Sequence, residues 1–178
     1  MHRFTTVTGV YVPDVTAEVM RTIDRTTQEA FGIDLLQMME NAGRELAARL
    51  LPDLDRDASV TVVAGGGGNG GGGLACARRL HDRGVHVRVV LARPASRLVP
   101  ATGHQLATLH ALGVPIAGPD RVGPWVSEAA VTVDALIGYG LRSRPAPWMD
   151  HLIHAVNRCA RSIVSLDVPS GLDATRGV

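Results

Sequence analysis

Apolar residues recur at two different spacings along the chain, and the change between them predicts helices and strands in turn. Two segments near the amino terminus, residues 13–31 and 34–51, have apolar side chains at helical spacing. Asp14 or Thr16 fits the start of the first helix, and Gly32 fits its end. The chain is therefore expected to begin with two helices.

Short apolar runs and helical segments alternate through the rest of the chain. The predicted order is strand 59–64, helix 74–83, strand 85–92, helix 104–112, a short apolar segment 114–117, strand 131–136, helix 149–160 and strand 162–168. Such a repeated order predicts an α/β fold, a Rossmann-like three-layer αβα sandwich with a mostly parallel sheet, preceded by the two amino-terminal helices.

The amino-acid composition excludes several classes of partner and several kinds of catalytic chemistry. With 178 residues, 46% of them hydrophobic, and a net charge of +1, the chain is expected to be a single cytoplasmic domain (1–178) without a nucleic-acid or membrane partner. All 18 basic residues are arginine, which excludes a lysine Schiff base and a phosphate-loop lysine. Cys76 and Cys159 lie far apart on apolar segments and are expected to be buried free thiols.

Residues 65–73 read GGGGNGGGG, so Asn69 is the only residue with a side chain between a predicted strand and a predicted helix. Glycine is costly to order, which indicates that something approaches this backbone closely, and a helix start favours an anion such as phosphate. A nicotinamide dehydrogenase would carry an acidic residue at the end of the next strand, where this chain has Arg93. Arg93 suits a 2′-phosphate instead, although a solvated arginine at a strand end is the simpler interpretation.

Three predicted strands end in chemically unusual loops. One runs into the glycine run, another carries Asp134 before GYGLRSRP, and the last carries Asp167 before PSGLD. Because carboxyl ends of parallel strands share one edge of a sheet, two carboxylates, an amide, a serine hydroxyl and bare backbone amides are expected to converge there. This set suits an anionic small molecule. Asp173 is expected only to cap a turn.

Four motifs give the chain a resemblance to a known family. They are QMMENAGRELA at 37–47, AGGGGNGGGGL at 64–74, DALIGYGL at 134–141 and DVPSGLD at 167–173. In order and spacing they resemble the YjeF N-terminal domain family, the NAD(P)H-hydrate epimerases, along nearly the whole chain. The resemblance implies an isomerase that interconverts the R and S epimers of NADHX and NADPHX, with an ADP- or ATP-dependent dehydratase as its functional partner. Glu40, in the first motif, is given a structural role.

The resemblance also implies a potassium ion, a homodimer paired through the amino-terminal helices, and roles for particular residues. The side-chain ligands of K⁺ would be Asn69, Asp134 and Ser170, which are hard oxygen donors. Asp167 is the hypothesised catalytic residue, which protonates a leaving hydroxyl and deprotonates water. Substrate contacts would come from Asp167 and from two loops, with residues Gly68, Asn69, Gly70, Gly71 and Gly72 in one and Gly138, Tyr139, Gly140, Leu141, Arg142, Ser143 and Arg144 in the other.

The chain departs from the family pattern in two places. Gly68 and Gly72 stand where the family has Asn and Asp, and Gly66 stands where proline is usual, so weaker or altered substrate binding is expected. The sequence stops soon after PSGLD, where family members continue through further elements, so an exposed sheet edge is expected. Two alternatives therefore stay open: a catalytically impaired relative that serves as a nucleotide-binding or protein-interaction scaffold, and an isomerase on another small substrate.

Overall fold

The structure, a computed structural model, describes residues 4–177. It begins with an antiparallel hairpin that the sequence pattern does not predict, β1 (Phe4–Thr5) and β2 (Tyr11–Val12). Two helices follow, as expected, α1 (Ala17–Phe31) and α2 (Leu35–Leu50). The remaining strands and α-helices are β3 (Ser59–Ala64), α3 (Gly68–His81), β4 (His86–Leu91), α4 (Pro100–Ala111), β5 (Ile116–Ala117), α5 (Val122–Glu128), β6 (Val131–Ala135), α6 (Pro147–Cys159) and β7 (Ile163–Ser165).

The five later strands form one parallel sheet in the order β5-β4-β3-β6-β7. Strand β3 lies at its centre, with Val62 opposite Val89 of β4 on one side and Val133 of β6 on the other. From β3 the chain adds β4 and β5 on one side of the sheet, and it then crosses to the other side of β3 to add β6 and β7. The carboxyl ends of β3 and β6 therefore flank a topological switch point, and the predicted Rossmann-like sheet is confirmed.

Helices cover both faces of the sheet. Val60 and Val62 point into a core shared with α2, α3 and α4, whereas Val63 points into a second core shared with α5 and α6. Successive residues of a strand face opposite sides, so the β-branched run of β3 supplies both cores at once. The predicted three-layer sandwich is thus confirmed, and β3 is buried from Val60 to Ala64.

Local sequence signals set the ends of the amino-terminal helices. The side chain of Thr16 accepts a hydrogen bond from the Val19 backbone at the start of α1, and Gly32 ends the helix with a left-handed φ of 67°. Asp34 and Gln37 form a reciprocal capping box at the start of α2. Thr16 is therefore the residue that caps α1, one of the two expected candidates.

Helix α3 begins at Gly68, so the prediction that its helix starts at Leu74 was wrong. Most of the glycine run is helical, and its positions are glycine because the neighbouring atoms leave no room for side chains. A Cβ at Gly70 would collide with the backbone of Gly65, and a Cβ at Gly73 would collide with Ala135 of β6. Tertiary packing here outweighs the low helix propensity of glycine.

The same close approach joins α3 to α2. A Cβ at Gly43 of α2 would lie 2.6 Å from the Cβ of Ala75, and a Cβ at Gly71 would collide with the Met39 side chain. Glycines on both helices therefore let the two backbones pack almost in contact. This packing fixes the start of α3 against α2.

The predicted apolar face of α1 does not pack into either core. Within the described residues α1 has no buried side chain, and Val15, Val19 and Ile23 are 41%, 46% and 42% exposed. Phe31, at its end, is 74% exposed. Among residues 4–177, no helix has both the length and the apolar character needed to cross a membrane.

Candidate functional site

A cavity of about 850 Å³ opens at the carboxyl edge of the sheet. Its walls come from α1, α2, the start of α3 and the turns that follow β6 and β7. A second cavity, of about 610 Å³, lies at the opposite edge, beside Ser59 and His86 at the starts of β3 and β4. Open α/β sheets bind ligands at the carboxyl ends of their strands, so the first cavity is the candidate site.

Asp134 is buried under this cavity and holds two of its turns together. Its Oδ1 accepts hydrogen bonds from Ser170 Oγ at 2.5 Å and Leu136 N at 3.2 Å, and its Oδ2 accepts from Ser170 N at 2.8 Å and Ser165 Oγ at 3.1 Å. These four donors satisfy the carboxylate without a basic partner. Asp134 and Ser170 therefore fix the turn after β7 to the end of β6.

Asn69 lies in the first turn of α3 and bridges to both of those turns. Its amide donates to the Leu166 carbonyl at 3.2 Å and accepts from the Gly138 backbone at 3.3 Å. A glycine at this position could make neither bond. The structure thus gives Asn69, the only residue of the run with a side chain, a definite role in joining three loops.

Asp167 has a left-handed backbone, with a φ of 71°, and no other non-glycine residue among 4–177 has a positive φ. Strand β7 ends at Ser165, so Asp167 lies in a turn and not in the strand predicted to reach residue 168. Its Oδ2 accepts from Tyr139 N at 2.6 Å, whereas Oδ1 takes no hydrogen bond from the described residues. One oxygen is held in place and the other is free, at a position where backbone strain often marks function.

Gly138 is required by the same geometry. A Cβ at residue 138 would lie 2.5 Å from Asp167 Oδ2 and 3.2 Å from the side-chain amide of Asn69. The glycine therefore lets the loop after β6 pass between these two side chains.

Helix α1 closes one side of the cavity through Tyr139. The phenol of Tyr139 donates a hydrogen bond to Asp24 of α1, and Ala17 N donates to Thr175 Oγ1 at 3.1 Å. Burial raises the pKa of the Tyr139 phenol, and the hydrogen bond to Asp24 raises it further, so the phenol stays protonated. Sequence reasoning missed Asp24, since nothing local indicates a contact across 115 positions.

The opposite wall of the cavity is apolar. Helix α2 presents its predicted apolar face there, and α1 and the residue before Asp167 add to it; the side chains are Met20, Leu35, Met38, Met39, Ala42 and Leu166. Polar groups converge on one side and apolar groups on the other. Such a cavity can hold a planar ring and keep bulk water from it.

The expected site residues do not all reach the cavity. Those that line it are Gly68, Asn69, Gly72, Gly138, Tyr139, Gly140 and Asp167. Gly70 and Gly71 are buried, and added side chains there would collide with Gly65 and Met39. The far part of the loop, Leu141, Arg142, Ser143 and Arg144, is not among the lining residues.

Asp173 and Glu40 lie in the structural positions expected of them. Asp173 Oδ1 accepts from the backbone N of Thr175 and of Arg176, as a turn cap does. Glu40 of α2 binds α3 and α4 through Arg78, Arg79 and Gln105. Burial acts to raise the Glu40 pKa, but these hydrogen bonds outweigh it and hold the pKa at about 2.

The family model described as YjeF-related protein N-terminus matches residues 35–178, which include Asn69, Asp134, Asp167 and Ser170. The chain belongs to the YjeF N-terminal family. All four motifs lie within the matched residues, and each contributes residues to the lining of one cavity.

Known proteins and a solved structure match the chain over most of its length. The NAD(P)H-hydrate epimerase of Dehalogenimonas lykanthroporepellens is 42% identical over 99% of this chain and 72% of its own length. The bifunctional NAD(P)H-hydrate repair enzyme Nnr of Hyperthermus butylicus is 37% identical over 84% of this chain, which spans only 28% of that longer protein. The crystal structure of the yeast protein ynu0 matches with a TM-score of 0.79 at 25% identity, over 91% of this chain and 72% of its own.

Proposed function

We propose that the protein is an NAD(P)H-hydrate epimerase, an isomerase that interconverts the R and S epimers of NADHX and NADPHX. The observation that carries this function is the Asp167 carboxylate at the cavity, with Oδ2 held by Tyr139 N and Oδ1 free. The 42% identity to an NAD(P)H-hydrate epimerase over 99% of the chain supports it.

The chemistry requires one group that both gives and takes a proton. Inversion at the carbinolamine carbon proceeds when the ring nitrogen lone pair helps the hydroxyl to leave, and water then adds to the other face. Asp167 protonates the leaving hydroxyl and later accepts a proton from the incoming water. Met38 and Met39 pack against the ring on the apolar side and limit the entry of other water.

A potassium ion held by Asn69, Asp134 and Ser170 is part of the proposal. A carboxylate, a hydroxyl and an amide oxygen are the donors that a hard cation prefers, so these residues fit the ion chemically. The four hydrogen bonds to Asp134 occupy its lone pairs, so ion binding would exchange at least one of them. When bound, the ion supplies positive charge near an anionic substrate. Thermal melting in KCl against an equal concentration of tetramethylammonium chloride tests for it.

An ADP- or ATP-dependent dehydratase is the proposed functional partner, in the cytoplasm. The bifunctional repair enzyme of Hyperthermus butylicus supports this. The present chain matches only 28% of that protein's length, so the second of its two activities lies outside the part that resembles this chain.

A homodimer through α1 is proposed as well. The exposed apolar face of α1, with Val19 and Ile23 and with Val15 just before the helix, is suited to pair with a second copy. Sedimentation of the parent chain and of Ile23→Glu tests the dimer: the proposal expects a dimer that the variant converts to monomer, and a monomeric parent would contradict it.

A coupled assay tests the activity. The R epimer of NADHX is incubated with excess S-specific dehydratase, ATP and KCl, and recovery of NADH is followed by absorbance with and without the protein. Acceleration is expected, and Asp167→Asn should abolish it, because Asn tolerates the same left-handed backbone but cannot transfer the proton. Asp173→Asn, at a turn cap, is the matched control and should keep the parent rate.

A folded protein that gives no acceleration would contradict the epimerase and would favour a binding scaffold or another substrate. An Asp167→Asn variant that works at the parent rate would contradict the catalytic role of Asp167.

A further inference from the structure

Arg93 lies at the carboxyl edge of the sheet, two residues after β4 ends. Its guanidinium carbon is 4.6 Å from the centroid of the Trp148 ring, at the start of α6. None of the ion pairs formed within residues 4–177 includes Arg93. Stacking on an aromatic ring holds a guanidinium flat and leaves the N–H groups along its edges able to bind an anion.

The segment that carries Arg93 packs directly on the glycine turn at the cavity. A Cβ at Gly66 would lie 3.5 Å from Arg93 Cδ, and Val99 N donates to the Gly66 carbonyl at 3.0 Å. Thr102 Oγ1 donates to the carbonyl of Gly67, which lines the cavity, at 2.9 Å. Arg93 therefore lies beside the glycine turn, next to residues that line the cavity, although it is not itself one of them.

The order of the strands predicts where the two halves of a bound dinucleotide would lie. In sheets of this topology the pyrophosphate lies at the turn between the central strand and its helix, and the adenosine ribose lies at the end of the next strand. Here that turn is Gly65 to Gly67 and the next strand is β4, which leads to Arg93. Asp167, which is proposed to act on the nicotinamide half, follows β7 on the opposite side of β3.

Local charge favours an additional phosphate at this end. The sequence has no acidic residue from 83 to 119 or from 135 to 149, although the whole chain carries only +1. The loops that follow β4 and β6 in these two stretches carry Arg93, Arg97, Arg142 and Arg144. An acidic residue at the end of β4 would bind a ribose 2′-hydroxyl and repel a 2′-phosphate, whereas arginine does the reverse.

We infer that Arg93 binds the 2′-phosphate of the adenosine half, so that the protein prefers NADPHX to NADHX. This inference deepens the epimerase function proposed above and rests on it. Arginine can bind a phosphate through two parallel N–H···O bonds, which a solvated strand-end arginine does not use.

Binding and turnover together test the inference. Dissociation constants for NADP⁺ and NAD⁺, and kcat/KM for NADPHX and NADHX, are measured for the parent, for Arg93→Gln and for Arg161→Gln, an exposed arginine before β7 at the far edge of the sheet. Gln keeps a flat group that can stack on Trp148. We expect Arg93→Gln to weaken NADP⁺ binding and to lower kcat/KM for NADPHX by about 10- to 100-fold, the effect of one charged hydrogen-bonded contact. NAD⁺ binding and kcat/KM for NADHX should change by less than about twofold. Arg161→Gln should change neither.

The variant Arg93→Lys distinguishes an effect of the positive charge from an effect on folding. It should retain part of the NADP⁺ preference, because lysine keeps the charge but loses the paired contact. A parent protein without preference for NADP⁺ would overturn the inference, as would an equal loss for both dinucleotides in Arg93→Gln. If NADP⁺ preference is present and lost in Arg93→Gln while the protein accelerates no epimerisation, the proposed function fails and the 2′-phosphate site stands.

Discussion

Replacing Glu40 by Gln should remove the ionic contact that ties α2 to α3 and α4. Arg78 Nη2 lies 2.7 and 2.6 Å from the two carboxylate oxygens, Arg79 Nη2 lies 2.6 Å from Oε2, and Gln105 Nε2 lies 2.9 Å from Oε1. The Glu40 side chain is 29% exposed, so solvent screens these contacts only in part. A neutral amide leaves the partly buried guanidinium of Arg79 without its counter-charge and leaves Arg78 paired only with Asp82.

The pKa of Glu40 sets the expected magnitude. Its fall from 4.5 to about 2 corresponds, at about 1.4 kcal/mol per pH unit, to about 3 kcal/mol of the free energy of unfolding. Because the folded-state pKa is lowered, this contribution is complete above pH 4.5 and is lost as the pH falls towards 2. The difference between parent and Glu40→Gln should therefore be constant near neutrality and shrink below about pH 4.5.

Urea unfolding followed by circular dichroism at pH 7 and at pH 3 measures this difference. At pH 7 the variant should be less stable by about 3 kcal/mol, which for a chain of this size lowers Tm by roughly 6 to 12 °C. Glu45→Gln is the control on the same helix: its side chain is 73% exposed, and the loss of its contact with Arg44 should cost less than about 0.5 kcal/mol. Equal stability of the two variants at pH 7, or a Glu40→Gln deficit that does not diminish at pH 3, would refute the reasoning.

Three further predictions concern packing around the site. Gly70→Ala should lower the free energy of unfolding by more than about 3 kcal/mol because its Cβ meets the Gly65 backbone, whereas Gly103→Ala, which meets nothing within 4 Å, should not; similar melting temperatures would contradict this. Cys76, buried with its pKa raised to about 12, should react with a thiol reagent only after unfolding, and labelling in the native protein would count against it. Ser170→Ala in K⁺-free buffer should cost about 1 to 3 kcal/mol by thermal unfolding, since Asp134 loses the donor at 2.5 Å, and an unchanged Tm would exclude that role.

Much of the fold could be predicted because local and global preferences agree. The β-branched run of β3 predicts a buried strand, and cap chemistry indicates Gly32 as the end of α1 and either Asp14 or Thr16 as its start. The convergence of Asp134, Asp167 and Asn69 could be foreseen as well. Parallel strands bring their carboxyl ends to one edge, whatever the distances along the chain.

The parts that were missed depend on contacts that sequence spacing does not encode. The glycines of α3 indicate a loop by propensity, whereas in the structure they form the first turns of a helix that packs against Gly65, Met39 and Ala135. Helix α5 contains glycine and proline in its first turn and is short, so its pattern is typical of a turn. The bond between Asp24 and Tyr139 depends on how α1 lies across the cavity, which no local pattern specifies.

The glycine-rich start of α3 also has a consequence for the order of folding. Five of the first six residues of the helix are glycine, and at about 1 kcal/mol each relative to alanine they oppose helix formation by roughly 5 kcal/mol. This segment cannot nucleate a helix and becomes helical only after α2 and the sheet have formed its surroundings. The site is therefore assembled late in folding, and native-state hydrogen exchange should find its amides opening before those of the sheet beneath.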